Sequence, residues 1–140
     1  MFIDDERRRM KLYVEELESN GHEVLFRDNV DSALETLNDL AEHFDLIVLD
    51  ISMPPGKAFA FEDTIGGSRT GLALYATIRS LQPDLPIVAL TNVADRRVAD
   101  RLQGEDARLC RLVRKPETLP FQFAELVEEF SSSVATDFEN

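Results

Sequence analysis

Asp45-Leu46-Ile47-Val48-Leu49-Asp50-Ile51-Ser52-Met53-Pro54 is the stretch whose reading decides the fold. Leu46 to Leu49 are apolar without alternation, which suits a strand covered on both faces, as in a parallel sheet. The run stops on a carboxylate, and Met53-Pro54-Pro55-Gly56 cannot continue regular structure. The same pattern recurs three times. Met1-Phe2-Ile3 leads to Asp4-Asp5, Ile87-Val88-Ala89-Leu90 to Thr91, and Leu112-Val113-Arg114 to Lys115-Pro116. If these runs are parallel strands, the polar landmarks all fall on the C-terminal edge of one sheet. That edge is where open α/β folds bind ligands. Three carboxylates, a hydroxyl and an ammonium gathered there make a site for Mg²⁺ and a phosphoryl group.

Helical periodicity fills the intervals. Residues 6–19 place Met10, Val14 and Leu17 on one face, and Asn20-Gly21 ends the helix. His22 to Arg27 reads as a strand. Asp28 or Asn29 can cap a helix whose apolar face is Val30, Ala33, Leu34, Leu37 and Leu40. Thr70 caps a third helix with Leu74, Ile78 and Leu81, closed by Gln82-Pro83-Asp84. A fourth carries Ala94, Val98 and Leu102 and ends near Gly104. Leu109 to Val113 is the last strand. Pro120 starts the last helix, with Phe123, Leu126, Val127 and Phe130 on its face. Five βα units imply a parallel sheet with right-handed crossovers and helices on both faces.

The chain has 140 residues and a net charge of −12, and 44% of its residues are hydrophobic. One domain is expected over residues 1–130, with a long loop at 51–69 and a polar, acidic, frayed tail at 131–140. No run is long or apolar enough to span a bilayer, and there is no signal-peptide core, so a cytoplasmic location is expected. One cysteine, Cys110, excludes an internal disulfide framework and reads as a small buried hydrophobe. The acidic balance argues against nucleic acid as a partner. Arg7-Arg8-Arg9 with Lys11 reads as a solvated helix face, and His22 and His43 as surface residues. Gly66-Gly67 is a flexible pair and not a phosphate loop.

Together the motifs Ile3-Asp4-Asp5-Glu6, Leu46 to Pro54, Ala89-Leu90-Thr91 and Lys115-Pro116 resemble the receiver domain of two-component response regulators, over about residues 1–130. The resemblance implies a flavodoxin-like (βα)5 fold with five parallel strands in order 2-1-3-4-5. It implies that Asp50 accepts a phosphoryl group and that Asp4, Asp5, Asp50 and the backbone carbonyl of Ser52 hold Mg²⁺. Thr91 and Lys115 would contact the phosphoryl oxygens, with the Lys115–Pro116 peptide commonly cis. The donor would be a histidine kinase or phosphotransfer protein. Output would run through a downstream target protein bound by the fourth helix, last strand and last helix, with a homodimer among the possible assemblies. Such a domain is a phosphoacceptor and not an enzyme with turnover.

Several residues depart from that family's pattern. Fewer apolar residues precede Asp4 than the family brings to this central strand, so either the strand starts upstream or it is short. The loop after Asp50 is longer by roughly a dozen residues, and long loops tend to be functional or disordered. Its Phe59 and Phe61 would cover the site, bind a partner or tuck onto the core. Leu112 stands where the family has its switch aromatic. Asn92 and Val93 follow Thr91, which predicts a slowly hydrolysed acyl phosphate; a half-life of seconds with Mg²⁺ would count against it. These departures support an alternative reading as a phosphorylation-independent pseudo-receiver. A flavin or nucleotide protein on the same fold is disfavoured, because no Gly-rich turn follows the first strand. A second Asp after Asp50 is also missing, which argues against a haloacid dehalogenase-type phosphatase.

Overall fold

Alternate residues of the central strands enter opposite cores. Ile47, Leu49, Ile87 and Ala89 pack on one face of the sheet, while Val48, Val88 and Leu90 pack on the other. Period-two alternation of uniformly apolar residues is what a doubly covered parallel strand requires. The computed structural model describes residues 1–140 apart from 62, 63, 65, 68, 92–95, 106, 107 and 140.

The order is β1 (Phe2–Ile3), α1 (Arg7–Ser19), β2 (Phe26–Arg27), α2 (Val30–Asn38), β3 (Ile47–Asp50), α3 (Thr70–Leu81), β4 (Ile87–Thr91), α4 (Arg96–Glu105), β5 (Cys110–Arg114), a 3-10 turn (Lys115–Glu117) and α5 (Pro120–Glu139). The five strands are parallel, as the apolar runs predict, in the order β2-β1-β3-β4-β5 that the family resemblance implies. Helices α2, α3 and α4 cover one face through Val30, Ala33, Leu37, Leu74, Ile78, Val98 and Leu102. Helices α1 and α5 cover the other through Met10, Leu17, Phe123, Val127 and Phe130. No helix among the described residues is long and apolar enough to cross a membrane.

Some expectations need correction. The strand expected over His22–Arg27 is paired only at Phe26–Arg27. Leu40 does not join the α2 face and is fully exposed, because α2 stops at Asn38 and the Asp39 carboxylate then accepts the Ala41 amide. Thr70 is the first residue of α3 rather than its cap. The segment expected to be a frayed tail is helical to Glu139: Val134, one turn beyond Phe130, is buried in the α1–α5 core. Ala94, Asn92 and Val93 lie outside the described residues.

The 51–69 loop is anchored at three points. The Met53 amide donates to the Gly67 carbonyl at 3.1 Å, closing its base. The amides of Lys57 and Ala58 each donate to the Asp31 carboxylate at 3.0 Å. Those two bonds hold the Asp31 carboxyl below its ordinary range. Phe59 is buried in the α2–α3 core, whereas Phe61 is fully exposed.

Candidate functional site

Parallel strands end together, so the residues at their C-terminal ends converge. Asp4 follows β1, Asp50 ends β3, Thr91 ends β4 and Lys115 follows β5. The register sets Asp50 opposite Leu90 and Thr91 opposite Arg114, which puts Thr91 one residue further along the same edge.

Asp4, Asp50, Thr91 and Lys115 are all buried, and Asp5 is exposed at the rim. The Lys115 ammonium lies 2.8 Å from Asp4 Oδ2 and 3.4 Å from Asp50 Oδ1. The Glu6 amide donates to Asp4 Oδ1 at 2.8 Å, and the Ser52 amide to Asp50 Oδ1 at 3.3 Å. One carboxylate oxygen each from Asp4, Asp5 and Asp50 fall within 4.8 Å of one another. Asp50 Oδ2 is buried without a hydrogen-bond partner among the described residues.

One ammonium therefore faces two buried carboxylates, with a third, Asp5, at the exposed rim. Burial, reinforced by the Asp4 charge and only partly offset by Lys115, pushes the Asp50 carboxyl up to about 8. Burial raises Asp4 as well, against the pull of Lys115 and the Glu6 amide. Burial alone would lower Lys115, but the two carboxylates outweigh it and the net shift is upward. Like charges about 4 Å apart repel by about 4 kcal/mol at an effective dielectric near 20. A divalent cation with oxygen preference would relieve that repulsion and give the orphaned Asp50 oxygen a partner.

Positioning comes from residues that the sequence reading passed over. Gly71, the second residue of α3, donates its amide to the Ile51 carbonyl at 2.8 Å. A Cβ there would lie 2.4 Å from Ile51 Cα and 2.6 Å from the Asp50 carbonyl oxygen, so only glycine lets α3 approach the end of β3. Tyr13 donates its hydroxyl to the Thr118 carbonyl at 2.6 Å and stacks edge-on against Phe123, which fixes the turn after Lys115 to α1. A glycine near a helix start was the only sequence signal for the first, and nothing local signalled the second. Among the described residues no peptide bond is cis, and Lys115 meets its carboxylates from the start of the 3-10 turn. Leu112 is half-buried against the α2–α4 core.

Comparison with known proteins agrees with this architecture. A model of the response regulator receiver domain matches residues 1–129. The receiver domain of NtrX from Brucella abortus is 26% identical with a TM-score of 0.68, and the match covers 94% of this chain and 96% of that one. A longer NtrX structure from the same organism is 24% identical with a TM-score of 0.73; the match covers 99% of this chain, which spans only 27% of that one. A CheY-like receiver domain protein from Methanospirillum hungatei JF-1 is 20% identical with a TM-score of 0.73, covering 97% of this chain and 94% of that one. No curated protein sequence matches the chain.

Proposed function

This chain belongs to the response regulator receiver domain family, and from that premise we propose that it accepts a phosphoryl group on Asp50 and signals by binding other proteins. The observation that carries the reading is the buried Asp50 carboxylate, with an oxygen left unpartnered, facing Asp4 and Lys115 at the sheet edge. An Asp50 oxygen attacks the phosphorus of a phosphohistidine, the P–N bond breaks, and its electron pair returns to the imidazole. Mg²⁺ held by Asp4, Asp5, Asp50 and the Ser52 carbonyl would neutralise the charge gathered between the carboxylates and the phosphoryl group. Lys115 supplies a second, fixed positive charge, and Thr91 a hydroxyl for a phosphoryl oxygen. The donor is a histidine kinase or phosphotransfer protein, and the readout is a downstream target protein, with a homodimer as one possible assembly. The compartment is the cytoplasm.

One observation favours the alternative of a phosphorylation-independent module. β5 runs Cys110-Arg111-Leu112-Val113-Arg114, so it has no aromatic side chain to follow a movement of Thr91. Intact-protein mass spectrometry after incubation with Mg²⁺ and acetyl phosphate separates the two. A single phosphoryl adduct, absent in Asp50→Asn and absent without metal, is expected. No adduct, even from a phosphohistidine protein, would leave the interaction-module reading in its place.

A further inference from the structure

Lys115 reaches the site from a slight support. It opens a 3-10 turn of three residues, Lys115–Glu117. The bond that closes this turn, from the Thr118 amide to the Lys115 carbonyl, is long at 3.4 Å. Turns of this kind hydrogen-bond less well than an α-helix. The Thr118 hydroxyl donates to the Arg114 carbonyl at 2.9 Å, so both bonds stay within residues 114–118. The bond from Tyr13 differs in kind. It comes from α1, 105 residues away in the chain, and at 2.6 Å it lies at the short end for a hydroxyl donor. On the reading of Asp50 as phosphoacceptor, we propose that Tyr13 is a positioning residue. Its hydroxyl, through Thr118, holds the Lys115 ammonium on the Asp4 side of the site and so keeps Asp50 Oδ2 free to attack phosphorus.

Helix α1 governs both halves of the pair. It starts at Arg7, directly after Asp4, Asp5 and Glu6, and the Glu6 amide secures Asp4 Oδ1 at 2.8 Å. Tyr13 stands on the same helix, about 9 Å along its axis from Arg7. The carboxylate nearest Lys115 and the turn that carries Lys115 are therefore registered to one element. The ring supports this registration. It meets Phe123 edge-on with centroids 5.5 Å apart, and Phe123 tilts against Phe2 at 6.1 Å, two residues before Asp4. Phe2 and Phe123 are fully buried in the α1–α5 core, which is packed too closely for the stack to slide.

The distances give the bond its chemical meaning. Lys115 Nζ lies 2.8 Å from Asp4 Oδ2 and 3.4 Å from Asp50 Oδ1, while Asp50 Oδ2 has no hydrogen-bond partner among the described residues. The ammonium is a point charge on a flexible stem. With its turn released, attraction alone would place it between the two carboxylates. Nearer Asp50 it would quench the nucleophile, and further out it would leave the phosphoryl oxygens without their fixed cation. A purely structural tyrosine would steady the fold in a way that does not depend on Lys115.

The test uses the full chain with Tyr13→Phe, which keeps the ring and removes the hydroxyl, alone and combined with Lys115→Met. Phosphoryl uptake from acetyl phosphate at saturating Mg²⁺ is followed by intact-protein mass spectrometry. The Lys115 ammonium is followed in the metal-free protein by proton–nitrogen correlation NMR. Tyr13→Phe should slow uptake about tenfold, shift or broaden the ammonium signal and leave Mg²⁺ affinity unchanged. In the Lys115→Met background it should slow uptake no further, because Tyr13 acts through Lys115. An ammonium signal unchanged by Tyr13→Phe would overturn the positioning role whatever the rate. So would an unchanged rate, and so would equal slowing in both backgrounds, the mark of a general loosening of the fold. A parent that takes up no phosphoryl group would overturn the phosphoacceptor reading instead, and the ammonium signal would still decide whether Tyr13 places Lys115.

Discussion

The two edges of this sheet are made by the same strands and end in opposite ways. At the C-terminal edge Asp4, Asp50, Thr91 and Lys115 are buried polar groups in close register. At the N-terminal edge a cavity of about 650 Å³ lies beyond Met1, lined by Leu17, Leu25, Phe44 and Val127 together with Glu23, Glu42 and Asp45. Charge is concentrated at one edge at a cost in stability, and packing is incomplete at the other. A ligand that supplies positive charge should stabilise the first edge.

The largest effect is expected where the C-terminal edge is tightest. Gly71→Ala sets a Cβ 2.4 Å from Ile51 Cα and 2.6 Å from the Asp50 carbonyl oxygen, and both are backbone atoms that cannot swing away. Overpacking of this kind should cost about 3 kcal/mol, read by urea denaturation. A variant as stable as the parent would mean that α3 can lift off β3, and the edge would then not be the rigid one.

Asp50→Asn should act in the other direction. The Asp50 carboxyl is raised from 3.8 to about 8 by burial and by Asp4. A raised carboxyl favours the folded state only while protonated, so its penalty grows as pH rises from about 4 to about 8 and is constant above. The variant should gain on the order of 2 kcal/mol at pH 8 without metal, and nothing near pH 3. Mg²⁺ should raise the Tm of the parent and leave that of the variant nearly unchanged. A variant less stable than the parent at pH 8 would show that Asp50 is a net stabilising partner of Lys115.

The sequence made the first edge legible and left the second hidden, for a physical reason. Apolar runs buried on both faces, such as Leu46–Leu49 and Ile87–Leu90, announce themselves, and the polar residue ending each run marks its C-terminal end. Composition carries no such mark for a close backbone approach, so nothing in the sequence singled out Gly71. Periodicity also overran its limits. Leu40 fits the α2 stripe, but the Asp39 carboxylate captures a local amide and stops the helix first. The Ser131-Ser132-Ser133 run reads as a weak helix former, yet Val134 finds a buried place one turn after Phe130 and carries α5 onward. The roles of Asp4, Asp5, Asp50, Thr91 and Lys115 came from resemblance; their positions came from the ends of strands.

Gly21 offers a milder contrast with Gly71. It follows the Asn20 cap of α1, beside the cavity at the N-terminal edge, with φ +93°, and a Cβ there meets nothing within 4 Å. Gly21→Ala should therefore cost only the backbone strain, about 1 kcal/mol, where Gly71→Ala costs the clash. If the two losses were equal, contact distance would not be what separates the edges.

The smallest effect is expected at Phe61, on the loop that follows Asp50. Two residues earlier in that loop, Phe59 is seated in the core, and its removal would open a cavity. Phe61 is fully exposed and covers nothing, so Phe61→Ala should change stability by less than about 0.5 kcal/mol. That neutrality makes it a clean probe. A loss of target binding in Phe61→Ala at unchanged Tm would give the C-terminal edge a recognition element beside its charged site. Unchanged binding would confine function at this edge to the buried carboxylates and Lys115. A large loss of stability would mean that the loop folds Phe61 inward in solution, and the loop would then belong to the core rather than to the surface.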